Sequence, residues 1–268
     1  MNGVVRNLHS TFSRTLSGPA LVLVLALAGT TATTADETDA KSILKSMSDY
    51  IASQDAISFG YDASLEVITK DDQRLALVSS GTVKLNRPGS MHTTRSGGFA
   101  DTETFFDGET LTLLGKTANM YVQIDAPSTI DELIDLMETE LDRSPPAAHL
   151  LLSNSYDRLM QNVTDVKDLG SGVIGGVECD FFAFRTDQID WQIWIAHGDR
   201  PYPCRYVVTS KDIAGGPQYS IQFNNWMTGG DVKTDGFTFE NTSNAEQIDA
   251  ADLAGKMSEL PSHFKTGE

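Results

Sequence analysis

Hydrophobic and polar positions alternate along most of this chain, and the alternation sets the first reading. From Ile57 to Thr69, Phe59, Tyr61, Ala63, Leu65 and Val67 alternate with more polar neighbours, the period of a half-buried strand. Lys70-Asp71-Asp72-Gln73 reads as a polar turn, and Leu75 to Leu85 returns as a second strand. Arg87-Pro88-Gly89 punctuates, Ser90 to Ser96 is a third strand, and Phe99 to Phe106 is a fourth that ends at the turn pair Asp107-Gly108. Leu111, Leu113 and Leu114, then Met120 to Ile124, continue the series. Every connection is too short for a crossover, so these strands form an antiparallel meander.

Two stretches keep the helical period instead. Ala40, Ile43, Leu44, Met47, Tyr50 and Ile51 predict an amphipathic helix over 38–53, with Thr38 or Asp39 as its cap. After Pro127, Ser128 or Thr129 can cap a second helix whose stripe is Ile130, Leu133, Ile134, Met137 and Leu141, opposed by an acidic face. Acids in its first turn suit the helix dipole, and Pro145-Pro146 stops it. The apolar segment 147–152 and a weak helix over 155–161 complete a helical insert between two runs of strands.

Strands then resume at Val163 to Leu169, cross a glycine-rich turn over 170–176, and continue through 177–185, 191–196, 204–210, 219–226 and a short 237–240. The densest aromatic and β-branched run is Gly175 to Val208, read as three consecutive strands. The expected class is α+β, with about ten antiparallel strands, an N-terminal helix and a central helical insert. A single domain is expected over 36–245, followed by a polar, loosely held tail over 246–268.

The first 35 residues stand apart. Arg6 and Arg14 precede a short apolar run, Pro19 to Ala28, and Thr33-Thr34-Ala35 offers a cleavage site, with Ala26-Leu27-Ala28 as a second. That is the pattern of a secretory signal peptide, and the run is too short to span a bilayer. Its removal takes away two arginines and no acid, so the formal charge moves from −17 to −19. Such a surface repels nucleic-acid phosphates and anionic membranes, and no spanning segment is expected after cleavage. The expected location is the periplasm. The two cysteines, Cys179 and Cys204, suggest one disulfide in an exported protein, closing a loop worth about 3 to 4 kcal/mol on the chain-entropy model. Two buried free thiols are the alternative.

Candidate chemistry is sparse. His9, His92, His149, His197 and His263 are scattered, without metal-ligand spacing. No nucleophile elbow is present, and the glycines at 170–176 lead into a strand rather than a phosphate-binding helix. No catalytic residue, metal or cofactor is therefore assigned, and an enzyme is not expected. The last strands, by contrast, are loaded with bulky residues on both faces: Trp191, Ile193 and Ile195 point one way, Gln192, Trp194 and Ala196 the other. Either both faces are covered, or one lines an apolar cavity. The candidate lining residues are Phe182, Phe184, Trp191, Trp194, Tyr219 and Phe223.

Several motifs carry a resemblance. In the first half they are Phe106-Asp107-Gly108 before a Leu-Thr-Leu strand, then Ala126-Pro127 before an acidic amphipathic helix. In the second they are Gly176-Val177-Glu178-Cys179, Phe182-Ala183-Phe184-Arg185, the strand Asp190 to Ile195, Gly198-Asp199-Arg200-Pro201 with Pro203, and Gly216-Pro217-Gln218-Tyr219 running on to Trp226. The chain resembles the exported bacterial family DUF2092, which is similar at fold level to the periplasmic lipoprotein carriers of the LolA and LolB type. The resemblance implies a strongly curved, unclosed antiparallel half-barrel whose concave face the helices cover. Where similar sequences tend to carry a basic residue after the Pro-x-Pro turn, this chain has Cys204, which favours a disulfide particular to this member or to a subset of the family.

Two functions are therefore expected. The first is a periplasmic binding or carrier protein for a lipid, acyl chain or lipoprotein. The second is a cell-envelope interaction module whose core its own side chains fill.

Overall fold

The computed structural model describes residues 33–98, 101–139 and 147–253; the expected signal peptide's charged and apolar regions lie outside them. A helix α1 (Thr33–Ala52) leads into strands β1 (Ala56–Ile68), β2 (Arg74–Asn86), β3 (Ser90–Gly97), β4 (Thr102–Phe106), β5 (Thr110–Gly115) and β6 (Met120–Asp125). The insert holds α2 (Ile130–Thr139), a 3-10 turn (Ala148–Leu151) and α3 (Ser155–Met160). Then come β7 (Asp165–Ile174), β8 (Val177–Arg185), β9 (Ile189–Ala196), β10 (Pro203–Ser210), β11 (Gln218–Thr228) and a two-residue β12 (Glu246–Gln247).

All twelve strands form one sheet in the order β12-β6-β5-β4-β3-β2-β1-β11-β10-β9-β8-β7. The two meanders join where β1 pairs antiparallel with β11, and β12 alone runs parallel, beside β6. The sheet is unclosed, with β12 and β7 as its two edges.

One face carries the core. Across the first meander the registers align Ile57, Leu85, Met91, Phe106, Leu111 and Ile124 in a single transverse row. Across the second they align Phe182, Ile193, Tyr206, Ile221 and Ala63. Period-two alternation places each on the same side, and the helices cover them: Leu44, Met47 and Ile51 of α1 and Ile130, Leu133 and Ile134 of α2 are all buried in the same cluster. We call this the inner face.

Local chemistry explains the joints. The Glu132 amide donates to Thr129 Oγ1 at 3.2 Å while the Thr129 hydroxyl donates to the Glu132 carboxylate at 2.8 Å, a side-chain N-cap that starts α2 where the sequence predicts it. The insert is tied to the sheet by Arg87, after β2, whose guanidinium donates to Leu151 O at 2.6 Å and lies 3.8 Å from Asp131. Asp131 in turn accepts from the Ser153 amide and hydroxyl. Gly81 is required by packing: a Cβ there would lie 2.0 Å from Thr94 O and 2.6 Å from Tyr61 Oη, because Tyr61 crosses β2 to donate to Thr94 O.

Four expectations change. The first helix begins at Thr33, not Thr38, so the Thr33-Thr34-Ala35 cleavage signal falls in its first turn. Gly170 to Gly172 belong to β7, which absorbs them at a bulge; Gly170 sits at φ +82° and its amide donates to Asp168 Oδ1 at 2.7 Å. Residues 237–240 form no strand and pair with no ladder; Phe237 is buried under Lys84, and Phe239 packs on Phe105 and Tyr121. The start of the tail is held rather than loose: β12 pairs with β6, and Ile248 and Leu253 are 6% exposed in the core. Polar composition hid two apolar anchors.

Candidate functional site

The six expected lining residues divide between the two faces. Phe184 and Trp191 stack at 3.9 Å on the inner face, in one row with Val208 and Tyr219. Phe182 lies in the neighbouring row, and Phe223 meets Phe59 edge-on at 5.3 Å. Burial, with a smaller contribution from the neighbouring Tyr219, pushes the Tyr206 phenol well above its ordinary pKa, and burial is the main cause of the same shift at Tyr219. These five residues come together under the helices. Trp194 does not join them: it stacks on Phe181 at 4.2 Å on the outer face, with the Arg205 guanidinium 5.8 Å from its ring. Alternation along β9 forces Trp191 and Trp194 apart, so both cannot line one cavity.

The inner site is filled in this structure. Phe182 is 0% exposed and Phe184 and Trp191 are 2% exposed. Each of the three helices contributes one methionine to this interface, Met47 and Met137 buried and Met160 half-buried, opposite Met91 and Met120 of the sheet. Thioethers are flexible and polarizable, and they repack around shapes that branched side chains cannot accept.

Cys179 and Cys204 lie on the outer face in a separate small cluster with Ala196, beneath Ile174, Val177 and Tyr202. Both are buried free thiols with their sulfurs 2.6 Å apart. A bulge between Pro203 and Arg205 makes this meeting possible: it breaks the alternation of β10 so that Cys204 and Arg205 both reach the outer side. The contact with Cys179, together with burial, raises the Cys204 pKa and holds that thiol protonated. No sequence period signals a bulge.

The three described histidines each sit by acidic groups in different parts of the molecule. His149 Nε2 is 2.5 Å from Glu138, which also binds Arg158 at 2.8 Å; His197 Nε2 is 2.7 Å from Asp180; His92 is 4.0 Å from Glu103. Among the described residues no three His, Cys, Asp or Glu side chains converge as metal ligands, and no helix is long and apolar enough to cross a membrane.

Two clefts open on the outer side. One, of about 790 Å³, lies between β3 to β5 and residues 235–243. The other, of about 580 Å³, crosses the middle of the sheet and is lined by Arg205, Gln222, Asp62, Ser80 and Ser96, among others. Neither is lined by any of the six expected residues.

This architecture is that of an α+β protein built on one unclosed, helix-covered antiparallel sheet. The chain matches the family model described as "Predicted periplasmic protein (DUF2092)" over residues 40–251, and it belongs to that family and to the periplasm. Among solved structures it is similar to the lipoprotein LppX of Mycobacterium tuberculosis, at 12% identity and a TM-score of 0.45, covering 74% of this chain and 100% of that one. LprF from Mycobacterium bovis is similar at 14% identity and 0.45, covering 75% and 98%. A LolA superfamily protein from Nitrosomonas europaea is similar at 9% identity and 0.32, covering 75% and 97%. No curated protein matches the chain.

Proposed function

We propose that the protein is a periplasmic carrier that takes up an acyl chain, of a lipid or lipoprotein, between the inner face of the sheet and its helical cover. One observation carries this reading: three separate helices close a large apolar face, and each presents a flexible methionine to it. Polar ties from Arg87 to Leu151 and Asp131 hold the insert at its rim and Arg158–Glu138 links α3 to α2, while apolar contact holds the underside. Such a cover can lift and reseal with little loss of hydrogen bonding. In this reading Phe182, Phe184, Trp191, Tyr219 and Phe223 contact the chain once the helices part. Cleavage of the signal peptide within 26–35 accompanies export, and in the oxidising periplasm Cys179 and Cys204 join as a disulfide.

The complete burial of Phe182, Phe184 and Trp191 favours a second reading, an envelope interaction module with a permanently filled core and a protein partner. Titration of delipidated mature protein with a fluorescent fatty acid separates the two. The carrier gives saturable one-to-one binding, and native mass spectrometry of freshly purified protein finds a lipid adduct. If both assays are blank, the carrier reading is wrong and the filled module stands.

A further inference from the structure

We infer that the outer-face cleft across the middle of the sheet is a binding groove for a neutral oligosaccharide. Its long axis follows one cross-strand row, set by register through five neighbouring strands: Arg205 on β10, Gln222 on β11, Asp62 on β1, Ser80 on β2 and Ser96 on β3. With strands about 4.8 Å apart, four intervals give a row about 19 Å long, which suits an oligomer rather than a single small molecule. The cleft exists because the row beside it is also small, with Ser64 and Ser220 paired across β1 and β11.

The chemistry of the lining selects the ligand class. Backbone groups in the middle of a sheet are committed to the ladders, so a docking peptide strand finds no unpaired edge here. An acyl chain would meet a floor of hydroxyls, amide and carboxylate, with Val78 as its main apolar contact. A phosphate would meet Arg205 but also Asp62, opposite charges two strands apart. What remains is a ligand that both donates and accepts hydrogen bonds along its whole length and carries no net charge. A chain of sugar rings does this: its hydroxyls answer Ser, Gln, Asp and Arg.

Two details show a row arranged to bind. The Arg205 guanidinium has no carboxylate partner among the described residues; the Trp194 ring positions it instead, which leaves its donors available. Asp62 is held by the Ser80 hydroxyl at 2.5 Å and the Asn224 amide at 3.4 Å, so its orientation is fixed before a ligand arrives.

Isothermal titration of the mature protein with maltoheptaose, cellohexaose and chitohexaose tests the inference, with inorganic phosphate as the charged control. At least one oligosaccharide should bind. Ser80→Trp, which fills the trough, should abolish that binding, and Arg205→Ala should weaken it about tenfold or more, both with an unchanged melting temperature. The inference is overturned if none of the three sugars binds, if phosphate alone binds, or if binding survives Ser80→Trp. Fatty-acid binding on the inner face should be the same in all three proteins, so failure here leaves the carrier reading to its own test.

Discussion

At the scale of the residue, face matters more than identity. Trp191 and Trp194 are three positions apart on β9, yet Trp191 is 2% exposed in the core and Trp194 is half-exposed on the outer face. Trp191→Ala should therefore cost about 3 to 5 kcal/mol in urea melts, the usual range for a buried aromatic, and Trp194→Ala clearly less. Equal costs would contradict the assignment of faces. His92 supplies a pH-dependent test. It stacks on Phe105 at 4.4 Å, and burial pulls its pKa below the usual histidine value, against the opposing pull of Glu103; Lys84 and Lys116 lower it further. The folded protein thus binds a proton less readily than the unfolded chain. Stability should rise with pH from the depressed pKa to about 6.5, level off above, and fall as pH drops through that window. Denaturant melts of wild type and His92→Asn from pH 5 to pH 8 should differ in slope across it, the variant being flatter.

At the scale of the element, most of the architecture was legible in the sequence because it rests on periodicity. Both meanders, the Thr129 cap of α2 and the buried stripe Ile130, Leu133, Ile134 and Met137 follow from local pattern. Bulges do not. The one in β7 hid a strand inside a glycine run, and the one in β10 put Cys204 beside Cys179. Because the two sulfurs already meet, oxidation should need little backbone movement. The exported protein should have an intact mass two hydrogens below the dithiol form and should react with a thiol label only after reduction. Labelling without reduction would reject the proposed disulfide. The candidate site was less legible than the strands, since alternation says which residues share a face but not which face the helices take.

At the scale of the whole molecule, the C-terminal segment shows what composition conceals. Residues 232–253 wrap back over the sheet, place Phe239 on Phe105 and Tyr121, add β12 to β6 and bury Ile248 and Leu253. Ile248→Ala should cost about 2 to 5 kcal/mol, a core-sized loss from a position that reads as a polar tail. A cost within the scatter of surface substitutions would mean that the segment does not bear on the fold. By itself, the sequence determined the α+β class, the antiparallel meanders, the helical insert and the family, because each depends on local period, turn chemistry or motif. Only the tertiary structure decided that the inner aromatics are sealed beneath methionine-bearing helices, that Trp194 faces outward, and that Arg205, Gln222, Asp62, Ser80 and Ser96 form one row. Those are matters of register between strands as much as 160 positions apart, from Asp62 to Gln222, and no local pattern encodes them.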